Sequence, residues 1–435
     1  MTGTRAPILF AIIFGLLLLV GFAQSWSLAL AIFNLCLISA VMALGLNIQW
    51  GYAGLFNVGV MGFAALGGMT AVLVSYPPVA EAWAAGGSGI LVSLILSLLT
   101  VAALVFAYRK MPKGNLRRVV MAAILVVAYL VVRYVYDPAV NAIESTNPAA
   151  TGFLGGMGLP IIFSWLLGGV VAAGVAWLIG KISLGLRSDY LAIATLGISE
   201  IIIAMLKNED WLTRGVKNVV GLPRPVPYEV NLQQAAWFNE WANTLGVSVV
   251  EFSSVFVKLC YAGLFAAVLL IVLWLSETAL RSPWGRMMRA IRDNEVAANA
   301  MGKNVTARHL QIFVLGSAVI GIAGAMLTTL DGQFTPGSYQ PLRFTFLVWV
   351  MVIVGGSGNN WGAILGGFLI WFFWVEAEPI GVWFMQTVTA GLPDGNAFKD
   401  HMLDSASHLR HIVVGLILLL TLRFAPRGLI PEVKR

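Results

Sequence analysis

Arg286, Arg289 and Arg292 recur every third residue between two long apolar runs, and Glu295-Val-Ala-Ala-Asn-Ala-Met-Gly302 follows them. Ser282 suits an N-cap, Pro283 a first helical position and Gly302 a helix stop, with Asn304 or Thr306 placed to cap what comes next. The spacing predicts a short cationic helix over 283–302. Its arginines can make charge contacts, and Ala297, Ala298 and Ala300 leave a small-residue surface that another protein can approach closely. A basic loop beside anionic lipid would explain the arginines, but it gives no reason for Glu295 through Gly302.

Other chemistry-bearing residues lie inside the apolar runs. Glu200 falls about 16 Å along a helix that begins near Asp189, hence near mid-membrane. An ionisable group at that depth marks a pathway or a buried partner. A hydrogen-bonded structural carboxyl between helices is the plainer account, with Thr195 and Ser199 supplying further interhelical bonds. Asn47, Gln49 and Asn57 flank Gly51 and Gly54. They read either as interhelical hydrogen bonding or as an uncharged polar wall suited to a zwitterion or neutral polar solute. Gly355-Gly356-Ser357-Gly358-Asn359-Asn360 interrupts an apolar run over 345–375. The glycines there allow close helix packing or, on a sharper reading, a hinge. His401, Asp404, His408 and His411 share one helical face, a donor set that can hold zinc or nickel. A polar face at the mouth of a span accounts for them more simply.

The elements that must position these residues are spans. The chain has 435 residues, 59% hydrophobic and only 11% charged, against about 25% charged in a soluble domain. That excludes an ordinary soluble enzyme, a disordered chain and a nucleic-acid binder, despite the net charge of +7. Apolar runs near 7–23, 27–48, 52–75, 89–107, 119–135, 160–180, 189–206, 253–275, 309–330 and 410–424 are each of spanning length. The first run, with Arg5 before it, reads as an uncleaved helix rather than a signal peptide. Segments 108–118, 276–308 and the tail from Arg423 to Arg435 hold 15 of the 27 basic residues, which places them on the cytoplasmic side. Segments 136–159, 207–252 and 376–410 read as outside. One straight span over 345–375 would put the basic tail outside, so parity requires a break at Gly355–Asn360 that returns the chain to its starting side; non-helical backbone there must be buried in protein or line a cavity. The expected fold is an all-α polytopic membrane protein, one transmembrane domain over 1–435. It has about ten transmembrane helices plus a broken or re-entrant segment, both termini cytoplasmic and lipid around it.

Glu295-Val-Ala-Ala with a distant Gly302 on a cytoplasmic loop resembles the mark of permease subunits of bacterial ABC importers. The version here is similar to branched-chain amino acid permeases of the LivM kind. Gly45-Leu-Asn47-Ile-Gln-Trp-Gly51-Tyr-Ala-Gly54-Leu-Phe-Asn57-Val-Gly59, the segment from Ser188 through Thr195 and Gly197 to Glu200, Gly355 through Gly362, and Phe424-Ala-Pro426-Arg427-Gly428-Leu429 resemble that family's signatures in order. The likeness covers roughly 28–75 and 185–430. It departs at 76–160, where two spans are inserted, and at 376–410, and Asn57 stands where the family carries an acidic residue.

The resemblance implies a permease fold in the bacterial inner membrane that passes branched-chain or related neutral amino acids inward. Its implied partners are a homologous second permease, two ATP-binding cassette subunits and a periplasmic substrate-binding protein. The chain itself would bind no cofactor and catalyse no hydrolysis, since no Gly-x-x-x-x-Gly-Lys-[Ser/Thr] occurs and ATP must bind a partner. The helix carrying Arg289, Arg292, Glu295, Ala298 and Gly302 would couple to the ATPase. Asn47, Asn57, Thr195, Glu200, Gly355, Gly356 and Gly358 are candidates for the path or its gate. A urea or short-amide importer is the nearest alternative. An ATP-independent secondary transporter would instead show inverted repeats or several intramembrane charges.

Overall fold

The computed structural model describes residues 5–393 and 396–432. Long apolar segments become helices because lipid offers no partner for backbone N–H and C=O groups. In chain order these are α1 (Arg5–Ala23), α2 (Trp26–Leu46), α3 (Val60–Ser75), α4 (Ala80–Ala82), α5 (Ser88–Lys110), α6 (Asn115–Ser145), α7 (Ile162–Ser183) and α8 (Ser188–Asn208). Short helices α9 (Asp210–Thr213), α10 (Glu229–Gln234) and α11 (Ala236–Leu245) precede α12 (Val249–Arg281), α13 (Pro283–Asp293), α14 (Glu295–Ala300) and α15 (Val305–Asp331). The chain closes with α16 (Pro341–Gly355), α17 (Asn360–Val388), α18 (Ala397–Ser405) and α19 (Leu409–Phe424). Among the described residues ten helical stretches are long and apolar enough to cross a membrane, while α3 and α16 are apolar but shorter. The protein is an all-α, multi-pass membrane protein.

Helix α15 lies at the centre, packed on α2, α3 and α7 through small residues. Gly67 of α3 rests on the Gly321 carbonyl, Gly324 on that of Ala64, and Gly168 of α7 on Gly67. Backbones this close gain dispersion contacts that lipid chains cannot match. One end of the bundle collects α13, α14, the α5–α6 turn and both described termini. There Phe10 meets the Trp361 ring at 6.1 Å, and Leu429 N and Ile430 N donate to Val354 O and Gly355 O at 2.9 Å each. The opposite end holds α9–α11 and an antiparallel pair of two-residue strands, β1 (Val219–Val220) and β2 (Gln333–Phe334), with Val219 opposite Phe334. These are called below the Arg292 end and the Asp331 end. Lys434 and Arg435 of the basic tail lie outside the described residues.

The interrupted run over 345–375 is an antiparallel helix hairpin, with Gly355 of α16 against Gly362 of α17 and Met351 against Gly366. The chain thus returns to its starting side at Gly355–Asn360, as parity required. The expected helix over 52–75 is corrected. Helix α2 continues as a π-helical turn over Asn47–Gly51, residues 54–59 are non-helical, and α3 begins only at Val60. Gly54 sits at φ +70°, and the Asn57 carboxamide accepts from Gly59 N at 2.8 Å, a local bond that competes with helix propagation.

The single helix expected over 283–302 is two. Asn294 takes φ −156° and its side chain caps α14 through Ala297 N. Helices α5 and α6 form a separate peripheral hairpin over the inserted region, with a small core of Ala82, Ile90, Ala139, Ile143 and Leu154. Tyr136 of α6 bonds Glu209 and Trp211 beside α9, which ties the hairpin to the main bundle.

Candidate functional site

Helix α13 is amphipathic, with Gly285, Met288 and Ile291 buried and Arg286 exposed. Arg289 is half-buried and donates to Leu280 O at 3.3 Å. Arg292 turns into the protein. It donates to the Gly51 carbonyl, and its Nη2 lies 3.0 Å from Glu432 Oε2. In α14, Glu295 is exposed, as are Val296 at 80% and Met301 at 79%. Ala298 is 9% exposed and joins the chain's own core. Of the small-residue surface expected at Ala297, Ala298 and Ala300, Ala298 is therefore corrected to a core position, while Ala297 and Ala300 face outward with Val296 and Met301. The sequence could not separate these, because α14 has fewer than two turns in which to display a periodicity.

From Arg292 a hydrogen-bonded chain runs into the bundle. Asn47 Oδ1, in the turn that ends at Gly51, accepts from Gly358 N at 2.9 Å, and Asn47 Nδ2 donates to Asn360 Oδ1 at 3.1 Å. Asn360 Nδ2 donates to Glu277 Oε1 at 3.0 Å. Asn359 Oδ1 caps α17 at Trp361 N, 3.0 Å, while its amide donates to Pro431 O at 3.2 Å. Gly355, Gly356 and Gly358 form a close-packed turn. A Cβ on Gly356 (φ +122°) would strike Ile430 O, and one on Gly358 (φ +77°) the Glu432 carboxylate. The α13–α14 segment, hairpin turn and tail are thus one constellation.

The second irregular segment, 54–59, is held in the same way. Gln49 Nε2 donates to Phe313 O at 2.9 Å and Ser317 Oγ at 3.0 Å. Asn57 Nδ2 donates to Gln49 Oε1 at 2.8 Å, Val58 N to Thr195 Oγ1 at 3.0 Å, and Trp349 Nε1 to Asn57 O at 3.0 Å. Asn47, Gln49 and Asn57 are all 0% exposed. Their amides meet the backbone needs of a broken helix pair, which is the interhelical reading.

Glu200 lies elsewhere. It is exposed on the flank of α8, whereas Ser199 beside it packs on Gly62. The buried carboxylate is Glu376 of α17, 2% exposed, accepting from Gln24 Nε2 at 2.9 Å. Sequence reasoning missed it by ending the apolar run at residue 375, although α17 continues through Pro379 to Val388. The His401, Asp404, His408 and His411 face does not assemble: among the described residues no three His, Cys, Asp or Glu side chains gather as a metal site, and His411 packs on Trp374.

A cavity of about 250 Å³ lies toward the Asp331 end, between α2, α15 and α16. Asp331, Gln333, Thr335 and Ser338 mark its mouth, and Met42, Met61 and Met351 are among its buried walls. Tyr339, also in its lining, shares a 2.8 Å hydrogen bond with Thr328, and burial pushes its phenol well above the ordinary range. None of the residues expected to line a path is among the lining side chains. The cavity is assembled from elements far apart in sequence and left no local signal.

Residues 119–422 match the family model described as branched-chain amino acid transport system, permease component. The chain is 30% identical over 207 residues to the high-affinity branched-chain amino acid transport system permease protein LivM of Salmonella typhimurium, covering 47% of this chain and 48% of that one. It thus spans about half the length of that relative. It is 26% identical over 294 residues to the probable LivM of Methanocaldococcus jannaschii, covering 68% and 73%. It is 25% identical over 218 residues to the xylose transport system permease protein XylH of Escherichia coli, covering 48% and 47%. No solved structure matches significantly. The family match spans well over half of a chain whose helices and glycine-broken hairpins suit a transport pore, and the protein belongs to the branched-chain amino acid transport system permease family.

Proposed function

We propose that the chain acts as one permease subunit of a binding-protein-dependent ABC importer, passing branched-chain or related neutral amino acids across the bacterial inner membrane. The observation that carries this reading is the α13–α14 segment. It presents Glu295, Val296 and Met301 outward while Arg292 grips Gly51 and Glu432 behind it. A protein docking on the outward face moves elements at the ends of two helix pairs at once. ATP-binding cassette subunits are the partners this face suits, and ATP hydrolysis belongs to them. The basic turn from Arg109 to Arg118 between α5 and α6 shares this end with Arg286 and Arg289, which supports a cytoplasmic Arg292 end. Both termini would then be cytoplasmic, and a periplasmic binding protein would deliver solute to the Asp331 end.

A second permease subunit is supported by Glu200. Its flank of α8 carries Ile193 at 69%, Ile201 at 60% and Met205 at 59% exposure. A carboxylate at mid-span costs a few kcal/mol or more in lipid and is almost always covered by protein. Affinity purification from native membranes with identification of stoichiometric partners tests the whole assembly. Two ATPases and a sister permease are expected; a chain that purifies alone and moves solute without ATP would overturn the reading.

A further inference from the structure

We infer that the cavity at the Asp331 end is a transit site for a solute that carries a primary ammonium on a short branched apolar body, with Asp331 as the ammonium's partner. The inference rests on the importer reading above and narrows its substrate. The family is broad enough to include a xylose permease relative, so the choice must come from this chain's own side chains.

Size is the first constraint. At roughly 30 Å³ per water, the 250 Å³ cavity has room for about eight waters, enough to hold one leucine with space to spare. Charge is the second. Asp331 is the one ionisable side chain of acidic or basic type among the lining residues. It ends α15, at the helix terminus where the dipole also favours a cation. Gly332 then turns the chain at φ +64° into β2, and the β1–β2 pair holds this corner to the 219–220 loop.

The walls supply the third constraint. Met42, Met61 and Met351 come from three different helices and are 6%, 4% and 1% exposed, with Leu347 and Trp371 completing an apolar surface. Unbranched, polarisable methionines adapt to differently branched aliphatic groups, so one cavity accepts leucine, isoleucine and valine. A pentose carries a hydroxyl on nearly every carbon, and each would need a polar partner, of which the buried walls offer only Ser39 and Tyr339. The other polar groups, Asp331, Gln333, Thr335 and Ser338, are gathered at the mouth, where an ammonium and carboxylate would sit while the side chain points inward.

The test is binding of tritiated leucine to the purified full chain in lipid nanodiscs, without partners or ATP. 3-Methylbutylamine, which keeps the amine, should displace it; 4-methylpentanoate, which keeps the carboxylate, and xylose should not. Asp331→Asn should weaken leucine binding at least about tenfold, since it removes a charge-assisted bond, while Asp331→Glu should retain most of it. Met61→Trp should abolish binding by filling the cavity. Because that variant risks misfolding, the Asp331 pair and the competitor series decide independently. Displacement by 4-methylpentanoate as strong as by the amine, an Asp331→Asn chain that binds like the parent, or no leucine binding at all would each overturn the inference. The importer reading fails separately, by the absence of ATPase and permease partners in native membranes.

Discussion

Arg292 and Glu432 meet at 3.0 Å between Nη2 and Oε2, joining the α13–α14 segment to the C-terminal tail across the turn of the α16–α17 hairpin. The same guanidinium holds the Gly51 carbonyl, where α2 stops being helical. One side chain therefore links a surface helix to both places where the membrane backbone is broken. The arrangement is partly buried, with Arg292 at 23% and Glu432 at 21% exposure, so water screens it less than a surface pair.

Arg292→Ala should lower stability by about 1–3 kcal/mol, the range for removing one partner of a buried charged hydrogen bond. Glu432→Gln should cost less, because the bond to Gly51 survives. If the clasp transmits docking, both variants will uncouple ATP hydrolysis from uptake at normal membrane levels. A double-mutant cycle on unfolding measures the pair directly, and a coupling energy near zero would sink the claim.

Asn47→Leu should destabilise the hairpin turn by about 1–3 kcal/mol, since Gly358 N–H and Asn360 Oδ1 would both lose their partner away from water. Hydrogen exchange at Gly358 is the specific readout. Exchange there should quicken in the variant, while amides at the α15 crossing with α3 stay protected.

Gly355→Val separates packing from hinge motion. A Cβ at Gly355 would strike the Gly362 carbonyl and Gly366 N, so the variant should fail to accumulate as folded protein. A folded, assembled but inactive Gly355→Val chain would favour the hinge. Gly415→Ala is the control, because nothing lies within 4 Å of a Cβ there.

Much of this architecture was legible along the chain. Long apolar runs have to be helices in lipid, and the Gly355–Asn360 cluster announced a turn because both its glycines and its capping Asn359 act locally. The break at 54–59 was not legible. Gly51, Gly54 and Asn57 are tolerated in membrane helices, and what stops the helix there includes Thr195, Phe313 and Trp349, side and main chains more than a hundred residues away. Arg292 shows the same limit. By spacing it belonged with Arg289 on a docking face, and Glu432 and the Gly51 carbonyl, each more than a hundred residues away, turn it inward.

Glu200 carries the last prediction. Its side chain makes no hydrogen bond or ion pair within the described residues, and Gly197, one turn earlier, has open space where a Cβ would stand. Lipid would solvate a mid-span carboxylate poorly, so the α8 flank is expected to meet a protein neighbour with a donor. A second copy packed α8 against α8 would bring like charges together, which disfavours a symmetric pair. The neighbour is therefore expected to be a different permease chain. Gly197→Cys should react with a membrane-soluble maleimide when the chain is purified alone and be protected in the assembled transporter. It should also form a crosslink to the sister subunit in native membranes. Equal labelling in both states would show that lipid, not protein, covers this face.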